Sequence, residues 1–396
     1  MNARWIALGG LWLVYAAFGA TASSLAPLLP EIRAALGTDN TTLGAILGAW
    51  PLVYIAMAIP AGALLDAIGV RLGLALAAVS IAASAALRAW ADTPVEMLLA
   101  VGVFGIGGPL ISVGAPKTIA ALFQGPSRGM AIGIYSTGPN AGAIATLMLT
   151  SGVLLPWAGS WQGVMLIHAG FALAAGAVWL GCAALAARHI PAPTRERVDM
   201  GALRGLLGQR DVLIVLGMAV GIFYINHAMM NWLPALLRAQ GMAAEQAGYW
   251  AAVPTMVGIG TALVVPRLAT PARRLPLLLA LFAVALVASL LIAWNGTLSL
   301  PSGLILQGIV RGSMTSIAVL VLIELPGVPQ NRVGLAGGLF FSAAEIGGVM
   351  GPFGFGLLRD VTGAFMVPLG SLTFVSAMLI ALGLLLGRRG EPRPTE

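Results

Sequence analysis

Few residues in this chain can do chemistry, and they stand out because their surroundings are apolar. Arg311 lies in Gly308-Ile309-Val310-Arg311-Gly312-Ser313. Its small neighbours leave room around a planar guanidinium fork that binds a carboxylate or other oxyanion at two points. The alternative is a permanent ion pair with Glu345, in Ala344-Glu345-Ile346-Gly347-Gly348, or with Glu324 further along its own segment. Glu345 is correspondingly the counter-charge of Arg311 or a carboxyl that takes up a proton. Lys117, after Gly114-Ala115-Pro116, is a second candidate cation, unless its long stem simply carries the ammonium to a nearby surface. The densest polar set is Tyr224, Asn226, His227, Asn231 and Trp232. Within it Tyr224, His227 and Asn231 recur at spacings of three and four and share one helical face. His227 can donate to an anion, carry a proton or bond a helix carbonyl; His168 is available to titrate but less well placed. Tyr15 with Trp12 and Phe18, Trp50 with Tyr54, and Asn140 complete the candidates. The available chemistry is ion recognition and proton transfer. No hydrolase or metal-binding cluster and no G-x-x-x-x-G-K-[ST] loop occurs, so no catalytic set, cofactor or metal is expected.

Such residues are scarce because of what must position them. Of 396 residues, 9% are charged and 59% hydrophobic, whereas roughly 25% of a soluble domain is charged. A soluble enzyme, a disordered chain and a collagen-like repeat are excluded, leaving an all-α polytopic membrane protein. With about 20 residues to a spanning helix, the length accommodates twelve. Apolar segments are read at 5–30, 43–65, 71–90, 95–122, 129–155, 163–187, 211–235, 247–265, 275–294, 302–323, 333–358 and 364–386. Arg4 and the apolar run past Ala20-Thr21-Ala22 to Pro30 are read as the first span rather than a cleaved leader. The lone cysteine, Cys182, allows no disulfide within the chain.

The formal charge is +7, and its distribution argues for orientation in a bilayer rather than nucleic-acid binding. With the N-terminus inside, fifteen of the 21 Lys and Arg residues fall on the inner side. Only Arg33, Arg88, Arg238 and Arg359 fall outside, while Lys117 and Arg311 lie within spans. A missed span would invert everything beyond it, so both termini are expected inside. The stretch from Arg188 to Arg210, with Pro191 and Pro193, separates an N-terminal six-helix bundle (1–190) from a C-terminal one (211–396, with a short tail) through a cytoplasmic linker (191–210). The halves also echo each other: Arg128-Gly129-Met130-Ala131-Ile132-Gly133 opens the fifth span and Arg332-Val333-Gly334-Leu335-Ala336-Gly337 the eleventh. Six-span halves related by an axis along the membrane normal are a transporter architecture.

Between the second and third spans lies Gly62-Ala63-Leu64-Leu65-Asp66-Ala67-Ile68-Gly69-Val70-Arg71. This resembles the signature G-x-L-x-D-x-x-G-x-R of the major facilitator superfamily. Gly62 and Gly69 would permit close helix approach and a tight turn, and Asp66 would pair with Arg71 or cap a neighbouring helix. The resemblance implies two pseudo-symmetric six-helix bundles, an inner latch built on this loop, and a central cavity lined by the first, fourth, seventh and tenth spans. It would place Arg311 in that cavity. The matching loop of the second half, Pro266 to Arg274, keeps its bases but lacks the Asp and the glycines, so a second latch is not expected there. Gly138-Pro139-Asn140-Ala141-Gly142 resembles part of the family's antiporter-associated G-P-x-x-G-G, with Ala143 in place of the last glycine. The competing reading is a kinked helix that packs closely through Gly and Pro.

These residues are read as a secondary active transporter that moves a small anionic solute, a carboxylate or inorganic anion, across the inner membrane by alternating access. Transport would run by exchange, symport or proton coupling. Arg311 would hold the negative group with Lys117 assisting. Tyr15, Asn140, Asn226 and His227 would recognise the rest, and Glu345 and Glu324 would serve coupling or counter-charge. Cyanate, nitrate-like and small-carboxylate porters of the family fit this description. A proton-coupled efflux antiporter for drugs or metabolites is the alternative drawn from the fifth span. A non-transporting receptor or scaffold would need an extra domain or long outer loops. The expected partners are a small molecule, protons or a counter-anion, and membrane lipids, with a monomer sufficient for activity.

Overall fold

The computed structural model describes residues 3–186, 200–329 and 332–390, and those residues form helices and short connections without a strand. Arg188, Arg195, Arg197 and Arg393, the 191–199 part of the expected linker and the end of the tail lie outside the described residues. The helices are α1 (Ala3–Ser23), α2 (Leu29–Leu36), α3 (Asn40–Ala89), α4 (Pro94–Leu122), α5 (Pro126–Leu149), α6 (Leu155–Ala158) and α7 (Trp161–Leu185). After them come α8 (Met200–Leu207), α9 (Arg210–Ala239), α10 (Ala244–Leu268), α11 (Arg274–Trp294), α12 (Ser299–Ile323), α13 (Val333–Thr362) and α14 (Met366–Gly390).

Eleven helical stretches among the described residues are long and apolar enough to cross a membrane. One of them is two spans joined. At 50 residues, α3 would measure about 75 Å if straight, more than twice a hydrocarbon core of about 30 Å. It breaks at Gly69, whose φ of 78° and ψ of 160° lie where only glycine sits without strain. The break falls inside the Gly62–Arg71 motif, so the turn between the second and third spans is built by that glycine. Counted in this way, the described residues contain the all-α set of twelve spans expected from sequence.

Local chemistry explains the other boundaries. Asp39 accepts from the Thr42 amide at 2.8 Å to start α3. Thr93 and Glu96 form a reciprocal capping box at the start of α4, and Ser160 caps α7. The first span departs from expectation: α1 stops at Ser23, and the chain passes through a short turn, Ala26–Leu28, with Pro27 in it, before α2. The α5 helix continues through a single π turn, Thr150–Leu154, into α6. Exposed Trp90, Trp157 and Trp294 stand at or beside helix ends, the positions tryptophan favours at a membrane interface.

The chain divides into two compact units, 1–197 with 231–252, and 198–230 with 253–396. Within the first, α3 packs on α4 and α7, and α1 packs on α5 and α7; within the second, α11 packs on α12 and α14. Glycine sets the closest approaches. A Cβ on Gly142 would fall 1.9 Å from the Ala16 carbonyl oxygen, and one on Gly138 2.8 Å from that of Trp12. The second unit repeats this. A Cβ on Gly347 would fall 1.9 Å from the Val220 carbonyl oxygen, and one on Gly351 2.5 Å from that of Tyr224. Two glycines one turn apart thus press α5 onto α1 and α13 onto α9. Gly62 takes no part in such packing, since a Cβ there would meet nothing within 4 Å. The expectation that it permits close helix approach is corrected accordingly.

Candidate functional site

In the second unit, α9, α12 and α13 bring together Arg311, His227 and Glu345. Glu345 is 5% exposed, and its Oε2 stands 4.0 Å from His227 Nε2. That oxygen makes no hydrogen bond. Gly348 creates the space for this approach: a Cβ there would fall 2.5 Å from Glu345 Oε2 and 3.1 Å from the His227 ring. Phe223 stacks on His227, with centroids 5.5 Å apart. Arg311 is within electrostatic range of His227 and retains partial exposure although it lies mid-helix. Among the described residues no carboxylate forms an ion pair with it.

That geometry revises two pairings. Glu345 faces His227 instead of closing an ion pair on Arg311. Glu324, the C-cap residue of α12, pairs with Arg274 at the start of α11, because it sits three turns from Arg311 at the helix end. Asn226 is half-buried and its Oδ1 is buried without a partner. Tyr224 turns to α14, its hydroxyl 2.9 Å from Ser371 Oγ, so the shared face drawn through Tyr224, His227 and Asn231 divides. Asn231 and Trp232 are buried and engaged, in the stretch that groups with the first unit. Sequence reasoning missed Gln307, which is buried one turn before Arg311 on α12; a polar side chain four residues before a mid-span arginine was the available signal.

In the first unit the partly exposed Tyr15 meets Tyr135 edge-on at 5.5 Å and lies beside Phe18 at 6.2 Å. Phe18 stacks on Phe104 at 4.9 Å, and Trp50 adds an edge contact to Phe104 at 5.5 Å. Tyr54 packs against Trp50. Asn140 is half-buried on α5. Beside it the Gly138-Pro139 turn is packed hard against α1, for a Cβ on Gly19 would fall 1.9 Å from the Pro139 carbonyl oxygen. Trp12 Nε1 donates to Thr137 Oγ1 at 2.9 Å across the same contact. This is the close-packing reading of the Gly-Pro segment.

Lys117 does not stand free as a second cation. Its ammonium pairs with Asp66, the acid of the inner-loop motif, rather than leaving Asp66 to Arg71 or to a helix end. Arg71 contributes its backbone carbonyl, which accepts from Trp179 Nε1 at 2.9 Å. The second half holds a counterpart with reversed polarity. Arg274 supplies the base next to the loop and Glu324 the acid at the end of α12, just as Asp66 supplies the acid next to the loop and Lys117 the base toward the end of α4. The missing loop acid that argued against a second clamp is thus provided from another helix.

Long apolar spans in two glycine-packed units, with ion pairs beside the corresponding loop of each half, describe a multi-pass membrane protein. The chain belongs to the Major Facilitator Superfamily, whose family model matches residues 11–352. It is 26% identical to the 2-nitroimidazole transporter of Escherichia coli (strain K12), over 98% of this chain and 97% of that one. It is 21% identical to the probable galactarate/D-glucarate transporter GudP of Bacillus subtilis (strain 168), over 96% and 90%. Among solved structures, the nucleoside transporter NupG superposes with a TM-score of 0.80 at 13% identity, covering 97% of this chain and 100% of that chain. A bacterial homolog of the human lysosomal transporter Spinster, in an inward-facing and occupied conformation, superposes with a TM-score of 0.74 at 15% identity, covering all of both chains.

Proposed function

We propose that the protein is a secondary active transporter for a small carboxylate, with Arg311 as the anion anchor and Glu345 with His227 as the proton-carrying pair. The observation that carries the reading is a mid-span guanidinium, partly accessible, with no carboxylate paired to it among the described residues. An ionisable group at such depth is costly and is retained where it serves a pathway. A substrate carboxylate would complete the charge pair by two parallel hydrogen bonds. Gln307 and Asn226 would bond hydroxyl groups on the rest of the solute. Relatives named for galactarate/D-glucarate and L-galactonate transport favour a polyhydroxy acid. Proton coupling rests on the buried carboxyl with an unbonded oxygen at His227, which is itself in electrostatic range of Arg311: when the solute anion occupies Arg311, a proton on Glu345 keeps the burial electrically balanced.

The aromatic cluster of Tyr15, Phe18, Trp50 and Phe104, together with a full-length relative named for 2-nitroimidazole, favours a second reading, a weakly polar heteroaromatic solute. Uptake into proteoliposomes separates the two. Galactarate, galactonate, nitrate and 2-nitroimidazole should be compared, with and without internal solute and an imposed pH gradient. We expect a sugar acid to be taken up, stimulated by the gradient, and Glu345→Gln to lose that stimulation while retaining exchange. Uptake of the nitroimidazole alone would overturn the anion assignment.

We further assign both termini to the cytoplasmic side of the inner membrane, on the strength of the Lys and Arg asymmetry, and the Asp66–Lys117 pair to a latch that holds the inner loop in one access state. Asp66→Lys and Lys117→Asp should each slow uptake, and combining them should restore part of it. Single variants with wild-type initial rates would remove the latch role.

A further inference from the structure

Arg88 belongs to the outer-side charges in the orientation count, yet it is 2% exposed. An arginine one turn from the end of a span ordinarily extends its head group to the interface. Here it turns inward to the place where α1 breaks. Nη1 donates to the Thr21 carbonyl oxygen at 3.1 Å and to Ser24 Oγ at 3.1 Å. The guanidinium carbon lies 5.5 Å from the centroid of Phe104. Ser24 Oγ also reaches Met165 Sδ at 3.6 Å. One turn beyond Met165 on α7, the buried His168 is in electrostatic range of the guanidinium.

The cluster carries a cation and unused donors without a counter-charge among the described residues. Guanidinium offers five N–H donors, but only Nη1 is bonded, and Nε is buried without a partner. His168 Nε2, Thr21 Oγ1 and Ser23 Oγ are likewise buried without partners. Among the described residues no carboxylate pairs with Arg88. A buried cation lacking a counter-charge is strongly unfavourable, and so are buried polar groups lacking a bond. A single species would relieve both penalties: an anion that accepts from several donors at once.

We propose that Arg88 and His168, with Thr21 beside them, form an anion-binding site inside the first unit, separate from the Arg311 site, taking a small monovalent inorganic anion of which chloride is the representative. The near-complete burial of these three side chains favours a compact ion over an organic acid. The aromatic cluster lies directly beside it through Phe104, so the bound ion supports the wall formed by Phe18 and Trp50. The site does not depend on which solute is transported.

The test is a chloride titration of the purified full-length protein in detergent, replacing sodium methanesulfonate, which is not a carboxylate, at constant ionic strength and following thermal unfolding. A ligand of the folded state raises the midpoint in a saturable manner. We expect that behaviour in the wild type and in Arg311→Gln. In Arg88→Gln the half-saturating chloride concentration should rise by at least about tenfold, the equivalent of about 1.4 kcal/mol. His168→Phe, which keeps a ring and removes the donor, should weaken the response several-fold and decides the matter if Arg88→Gln fails to fold. Identical unfolding in chloride and methanesulfonate would overturn the proposal. So would an unchanged titration in the His168 variant, or loss of the response in Arg311→Gln alone.

Discussion

Replacing Arg311 with Ala should abolish binding of the transported anion while leaving the folded yield close to wild type. The side chain is partly accessible and closes no ion pair among the described residues, so its removal strands no carboxylate that it was neutralising. Truncating one side of a desolvated, hydrogen-bonded charge pair costs about 2–5 kcal/mol, or about 30- to 5000-fold in affinity. Lys at this position should recover only part of the loss, because an ammonium keeps the charge but lacks the fork that grips two oxygens. A permanent pair with Glu345 predicts a different pattern. Removing one member would then leave a buried charge uncompensated, at about 3–5 kcal/mol of stability, and adding Glu345→Gln would restore folding. Anion affinity measured by equilibrium binding to purified protein, with folded yield from gel filtration, separates the patterns. Unchanged affinity in Arg311→Ala would remove Arg311 from the site.

The spans were legible in the sequence because a bilayer demands about 20 apolar residues per crossing and tolerates few charges within them. The break inside α3 was legible for a related reason, since a glycine in a short charged turn is the cheapest place to reverse a helix. The pairings were less accessible. Asp66 and Lys117 are separated by 51 positions, and nothing in the chain order distinguishes a lysine held by that acid from one facing solute. Glu324 was assigned to Arg311 by proximity along one helix, whereas its helix-end position delivers it to Arg274. Arg88 shows the same limit from the other direction. It was counted with the outer charges, but whether an arginine near a span end reaches outward or inward depends on neighbouring helices. Here the carbonyl of Thr21 becomes available where α1 breaks, and that break draws the guanidinium in. Charge placement along the normal is thus a property of single spans, while charge partnership is a property of their packing.

Glycine content hides an equally large difference. Gly142→Ala should destabilise the protein severely, whereas Gly133→Ala, nine residues earlier in the same helix, should be neutral or stabilising. At Gly133 an added Cβ meets nothing within 4 Å, and alanine gains up to about 1 kcal/mol of helix propensity over glycine. At Gly142 the same atom would fall 1.9 Å from a backbone oxygen of α1, and backbone cannot swing aside as a side-chain end can. The helices must separate along their whole seam, loosening the Trp12–Thr137 bond and the Gly19–Pro139 contact with it. Overpacking typically costs about 1–3 kcal/mol, and a main-chain obstruction belongs at or above the top of that range. Gly347→Ala against Gly338→Ala repeats the experiment on α13, because Gly347 meets the Val220 carbonyl at 1.9 Å while Gly338 is open. Thermal unfolding of the four variants in detergent is sufficient. Equal midpoints for Gly142→Ala and Gly133→Ala would disprove the close α1–α5 seam. A folded Gly142→Ala with normal stability but no exchange activity would instead return the Gly-Pro segment to the antiport role that its resemblance suggests. The contrast within each helix therefore tests packing and function separately, on residues that composition treats as identical.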